Sequence, residues 1–168
     1  MESTFQSAED LVQLSRQSLA RCEALFRELE APTSLIGIYR AEITGPAWVR
    51  LSAPASLALC GFAGWCGKEF FDDDSGNNLA VRNGKLVRIK PMYIREQESV
   101  VDGKPVIALH YPEDSALGGI MVDEFRQYSD GQILALSFID MPGIPKRGLP
   151  FVLTQMDGEE ELVESELA

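Results

Sequence analysis

The sequence predicts a mainly β fold of the α+β class: an antiparallel up-and-down barrel, or a strongly curved sheet, with one N-terminal α-helix. Three observations carry that expectation. Apolar residues recur at helical spacing near the start, they alternate after Pro32, and several alternating stretches are joined by dipeptides that favour tight hairpins. Successive hairpins make a meander, and a sheet of six or seven strands commonly closes because closure removes its exposed edges.

The helix comes first. In SAEDLVQLSRQSLARCEALFRELE, residues Leu11, Leu14, Cys22, Leu25 and Leu29 fall near one stripe flanked by Val12, Leu19 and Phe26. That spacing predicts a helix over residues 7–31 that lies against the barrel or plugs one end of it. Ser7 and Asp10 stand in a capping-box relation, and Pro32 ends the run by disfavouring helix at Ala31. LIGIYRAEI, from Leu35 to Ile43, then alternates like a strand. Ser52 before Ala53-Pro54 suits an N-cap with proline in the first turn, so APASLALCGF is expected to form a short helix.

GFAGWCGKEF, Gly61 to Phe70, surrounds one indole with three glycines. Glycine there permits tight bends or the close approach of another backbone, so the stretch reads as chain entering a compact sheet. Beyond it, LAVRN and KLVRIK flank Asn83-Gly84, and ESVV and KPVIALHY flank Asp102-Gly103. Both dipeptides tolerate the positive φ that hairpin turns require. GIMVDEFRQY and QILALSFID enclose Ser129-Asp130-Gly131, and LPFVLTQM makes a last strand. Asp157, Glu159, Glu160, Glu161, Glu164 and Glu166 follow with no Lys or Arg among them. This run is expected to stay solvated and disordered. The organisation is therefore one domain over residues 1–156, with the barrel at 35–156 and a disordered tail at 157–168.

A net charge of −11, with 15 basic residues scattered along the chain, argues against a nucleic-acid partner, since phosphate binding needs clustered cations. The first residues do not read as a secretory signal, and no apolar run approaches the ~20 residues needed to cross a bilayer. The expectation is a soluble, cytoplasmic protein without a membrane span. Cys22, Cys60 and Cys66 are an odd number, which favours reduced thiols over a disulfide framework, although a reversible Cys60–Cys66 bridge stays open.

The segment GWCGKEF resembles the G-W-x-G-K-x-F stretch of small bacterial proteins that pair a GXWXG motif with a following domain of unknown function 4334. GGIMVDEFRQYSDGQILALSFID is similar, in shortened form, to that domain's small-residue, Met-Val, Phe-Arg, Asp-x-x-hydrophobic, Met-Asp pattern. With LPFVLTQ, the similarity runs from Leu35 to Gln155. The family's Gly, Trp and second Gly fall at Gly37, Tyr39 and Ala41, so only the first is kept. The resemblance implies a lipocalin-like barrel whose first strand carries an aromatic ring, here Tyr39, that closes the base. It implies no activity.

The chemistry of the remaining motifs is thin. Cys60 and Cys66 lack the spacing of a zinc half-site, and no second cysteine or histidine pair exists. FDDDSGNN has hard oxygen donors but not the register of an EF-hand, and it reads as a turn. No G-x-S-x-G elbow and no phosphate-binding loop are present. Lys146 and Arg147, in a Pro- and Gly-rich loop at the expected barrel mouth, are an isolated positive pair that reads first as solvated loop charge and second as a partner for a ligand carboxylate or phosphate.

The leading expectation is non-enzymatic binding of a small hydrophobic or amphipathic, fatty-acid-like ligand inside the barrel. Its walls would include Tyr39, Trp65, Tyr93, His110 and Phe138, with no cofactor, metal or catalytic residue. A protein–protein module is the alternative; it predicts a full interior with an exposed apolar patch, and includes a homodimer. A small enzyme using His110 with a carboxylate or Cys66 is a third, and requires those groups to converge.

Overall fold

A computed structural model describes residues 13–14, 16–72 and 74–168. Eight strands close into an antiparallel barrel in sequence order. They are β1 Gly37–Ile43, β2 Trp65–Phe70, β3 Ser75–Arg82, β4 Lys85–Glu98, β5 Pro105–His110, β6 Met121–Ser129, β7 Gln132–Ile139 and β8 Leu149–Met156. The ring shuts where β8 returns to β1, from Ile43 opposite Phe151 to Ile38 opposite Met156. The expected hairpin turns are present, with positive φ at Asn83, Gly84, Gly103 and Gly131.

The strand that completes the set is β2, formed by WCGKEF. Gly67 is indispensable to its pairing: a Cβ there would overlap the carbonyl oxygen of Tyr39 on β1, which is backbone and cannot yield. Gly67→Ala is therefore expected to cost at least about 3 kcal/mol in urea unfolding, in the long tail of point substitutions. Gly84, with open space around it and a φ of +71°, is the control. Gly84→Ala should cost only about 1–2 kcal/mol, the penalty of left-handed backbone.

Strand alternation divides the side chains between two cores. Tyr39, Phe70, Met92, Leu109, Phe125, Ile133, Phe151 and Leu153 pack inside the ring. Val106, Leu134, Leu136 and Val152 point outward and meet Cys22 and Phe26 of α1, Leu19–Glu28. The helix thus lies on the outer wall and plugs neither end.

Helix α1 is shorter than predicted. Ser18 sits in extended geometry and accepts from the backbone N–H of Arg21 at 3.2 Å, so a local cap starts a new helix within the continuous apolar stripe. Residues 7–12, and with them the Ser7–Asp10 capping box, lie outside the described residues. Arg126 of β6 anchors α1. Its guanidinium donates to the Phe26 carbonyl at 2.8 Å and to both Asp102 oxygens at 2.8 Å, and lies 4.6 Å from the Phe26 ring centroid.

Two other expectations are corrected. Helix α2, Ala47–Leu57, starts five residues before Ser52, so Pro54 lies inside it and Ser52 Oγ donates to the Trp48 carbonyl at 2.7 Å instead of capping. A wide turn, Ala58–Phe62, continues α2 and ends with Gly61 at φ +85°. The acidic C-terminus is not disordered: Glu159–Leu167 forms α3. Leu162 is buried with Cys66 and Leu79, and Glu159 pairs with Arg88. Three carboxylates in the first turn also suit the positive end of the helix dipole, so composition alone misjudged the tail.

Candidate functional site beneath the barrel lid

Between β1 and β2 the chain leaves the wall and covers one end of the barrel with α2 and its turn. Arg50 is the one charged residue of this lid, and residues 51–64 contain none. Val49 and Phe62 are buried beneath it, whereas Trp48, Leu51 and Leu59 face outward at 52%, 81% and 91% exposure. Phe62 is the plug: its ring meets Tyr111 edge-on at 6.2 Å, and the Lys90 ammonium lies 5.9 Å from its centroid.

Directly below Tyr111 is a polar cluster inside the apolar core. Asn78 Nδ2 donates to Tyr111 Oη at 3.2 Å and to the Lys90 carbonyl at 3.0 Å. That carbonyl is supplied by a bulge between β3 and β4, where Lys90 takes a φ of +46°; bulges commonly re-aim groups in this way. Asn78 Oδ1 accepts from Lys68 Nζ at 2.8 Å and from Trp65 Nε1 at 3.1 Å. Lys68 Nζ also lies 3.1 Å from Asp123 Oδ2, and Asp123 accepts from Ser137 Oγ. The Lys68–Asp123 approach is ionic, without good hydrogen-bond alignment at that oxygen.

Lys68, Asn78 and Asp123 are almost wholly buried. Desolvation pulls the Lys68 amine below its ordinary value, against the opposing pull of Asp123. Burial pushes Tyr111 well above its own, and the Asp123 charge adds to this. The cluster thus brings a phenol, an amide, an indole N–H and the Lys68–Asp123 pair together inside the apolar core. Attraction across a buried ion pair seldom exceeds the cost of desolvating it, so the pair is poorly explained as a stabilising device.

Of the five residues assigned to the ligand wall, two reach the interior. Tyr39 packs against Phe70 at 5.7 Å, and Trp65 against Phe151 at 5.6 Å. The other three are on the outer surface, which corrects the sequence assignment. Tyr93 and His110 stack at 5.7 Å, with Arg95 Nε and Gln97 Oε1 at 3.1 and 2.8 Å from His110 Nε2. Phe138 packs with the α1 cluster. The physical reason is the period of two: Met92 and Ile94 take the inward positions of β4, so Tyr93 between them cannot.

Phe70, Phe125 and Phe151 continue the edge-to-face series of Tyr39 and Trp65 through the core, at centroid separations of 5.8 and 6.5 Å. Two hollows lie outside it. One, of about 650 Å³, is bordered by Gly37, Gln155 and Gly158; the other, of about 370 Å³, by Arg27, Phe138, Lys146 and Arg147. Lys146 also pairs with Asp140.

The groups needed for the enzyme alternative do not converge. His110 is on the outer wall of β5. Cys66 is packed under α3, where burial first and Glu166 second push its thiol up to about 12. Cys22, Cys60 and Cys66 are all free, Cys60 exposed and the other two buried. Among the described residues no cluster of His, Cys, Asp and Glu could hold a metal ion, and no helix is long and apolar enough to cross a membrane.

Lys68, Asn78, Tyr111, Asp123 and Ser137 were missed by sequence reasoning. A signal existed for two of them. Lys68 shares the face of Phe70 and Asp123 shares that of Phe125, so each puts a charge at an inward position of an alternating strand.

No family model and no curated protein matches the chain. A crystal structure of a protein from Thermomonospora curvata is similar over 89% of this chain and 95% of that one, at 20% identity and a TM-score of 0.65. The fold is thus a closed, eight-stranded antiparallel barrel with peripheral helices.

Proposed function

We propose that the chain is a non-enzymatic binding protein for a small amphipathic, lipid-like molecule with an anionic head, admitted when the Phe62 plug is displaced. The observation that carries the reading is the position of the Lys68 cluster, one aromatic ring below a lid whose one charged residue is Arg50. A cation amid apolar walls is what orients an amphipathic ligand, while burial of the tail supplies affinity at about 25 cal/mol per Å². Because Phe62 and the aromatic series occupy this end and the core behind it, binding requires the lid to open and those rings to shift. Kinship with the GXWXG and domain 4334 proteins belongs to the same reading and rests on GWCGKEF and GGIMVDEFRQYSDGQILALSFID. So does a cytoplasmic setting, which suits three free thiols.

The test compares native and denatured masses of the protein as purified, then titrates delipidated protein with a fluorescent long-chain fatty acid. Phe62→Ala should tighten binding several-fold by removing the plug. The pair Lys68→Met/Asp123→Leu, which removes both charges, should weaken it at least tenfold for the acid but not for the corresponding alcohol. No released molecule and no probe binding, even with Phe62→Ala, would leave the second reading. That reading is an interaction module, favoured by the aromatic packing of the core together with the apolar outer face of the lid.

A further inference from the structure

The lid has a second apolar face that the barrel does not use. Trp48, Leu51, Ala55 and Leu59 recur at intervals of three and four, a helical stripe, and all four are exposed. Ordinary surface helices turn charged residues outward, and isolated exposed leucines are unremarkable, but a stripe of apolar residues on a segment with a single charge marks a contact surface.

The charge around the stripe says what it fits. From Ile43 to Gly67 the only charged residue is Arg50, in a chain of net charge −11. Arg82 leans onto the lid, its Nε donating to the Ala63 carbonyl at 3.1 Å. Lys85 is its partner across the β3–β4 hairpin. Lys90 Nζ stands about 3.0 Å from where a Cβ on Gly61 would be. None of Arg50, Arg82, Lys85 and Lys90 has a carboxylate partner among the described residues. Glu113, Asp114 and Asp140 lie on loops at the same end, Asp140 already paired with Lys146. A second copy of this acidic chain would bring its own negative surface; an anionic bilayer presents negative headgroups above an apolar layer.

We propose that the outer face of α2 is a docking surface for anionic lipid membranes, with Trp48, Leu51 and Leu59 entering the interface and Arg50, Arg82, Lys85 and Lys90 meeting the headgroups. Interfacial helices bind by this combination of buried apolar area and attraction to anionic lipid, and tryptophan favours the headgroup level. The inference is independent of a ligand in the barrel, since vesicles free of fatty acid suffice to test it.

The experiment is co-sedimentation of the full chain with vesicles of phosphatidylglycerol and phosphatidylcholine, and with phosphatidylcholine alone. The wild type should sediment with the anionic vesicles, less so as salt rises, and hardly with the neutral ones. Leu51→Glu/Leu59→Glu should lower partitioning by about tenfold or more. Since both leucines are exposed, its urea midpoint should match the wild type. Arg82→Gln/Lys85→Gln should weaken binding and flatten its salt dependence. Trp48 emission should shift to the blue on anionic vesicles, and Trp48→Phe should abolish that shift, leaving Trp65 as the internal control. Failure to sediment with anionic vesicles, equal binding to neutral ones, or a solution dimer that the leucine pair dissolves would each overturn the proposal. Fatty-acid binding that survives in the leucine pair would keep the reading of the barrel separate from this one.

Discussion

Asp123→Leu is expected to lower stability by about 3–5 kcal/mol, because it strands the Lys68 ammonium inside the barrel with Asn78 Oδ1 as its remaining polar contact. Lys68→Met alone should cost a similar amount by leaving the Asp123 carboxylate uncompensated. The paired change Lys68→Met/Asp123→Leu removes both charges and should recover most of the loss, or exceed the wild type. Chemical denaturation of the four proteins completes a double-mutant cycle, and strictly additive losses would refute a coupled pair. The cycle also tests function. A core that becomes more stable without its ion pair, yet no longer discriminates a fatty acid from its alcohol, would show that the charges serve recognition.

Arg126→Ala should cost about 3 kcal/mol or more and loosen α1. The guanidinium joins the Phe26 carbonyl, the Phe26 ring and Asp102, so one truncation releases the helix and leaves a nearly buried carboxylate unpaired. Thiol reactivity reports the release. Cys60 should react quickly in both proteins, whereas Cys22, whose thiol burial raises to about 11, should become reactive only in the variant. A pH signature accompanies it. Hydrogen bonds from Arg126 hold Asp102 down at about 2, from an ordinary 3.8. The folded state therefore gains from this pair above about pH 4 and loses the gain as pH falls through about 2. The stability gap between wild type and Arg126→Ala should narrow over that window, and a gap independent of pH would mean that packing on Phe26 dominates.

Much of the barrel was legible because its signals are local. Asn83-Gly84 and Asp130-Gly131 mark turns through the φ that their residues tolerate, and alternation marks the strands between them. Strand β2 was harder: Gly67 and Lys68 depress strand propensity, and their reason for being there, a close approach to Tyr39 and an inward charge, is supplied by other strands. The site was legible only in part for the same reason. Aromatic type was a sound guide at Tyr39 and Trp65, but Tyr93, His110 and Phe138 differ from inward residues by one step of register, which residue type does not encode. The α3 tail failed differently, since one buried leucine and a helix dipole outweighed a run of like charges.

The β1–β8 seam carries a consequence for how the chain is made. Gly37–Ile43 has only one of its two neighbours until Leu149–Met156 arrives, so the ring can close only after all eight strands have left the ribosome. Contacts so distant in sequence are slow to form, because the loop between them must be ordered first. During that interval β1 is an open edge, and the meander it leads is at its most vulnerable to pairing with a neighbouring nascent chain. A chain truncated before Leu149 should therefore fail by aggregating, while one truncated after Met156 should close its barrel and lose the cover that α3 gives to Cys66 and Leu79 together with the Glu159–Arg88 pair.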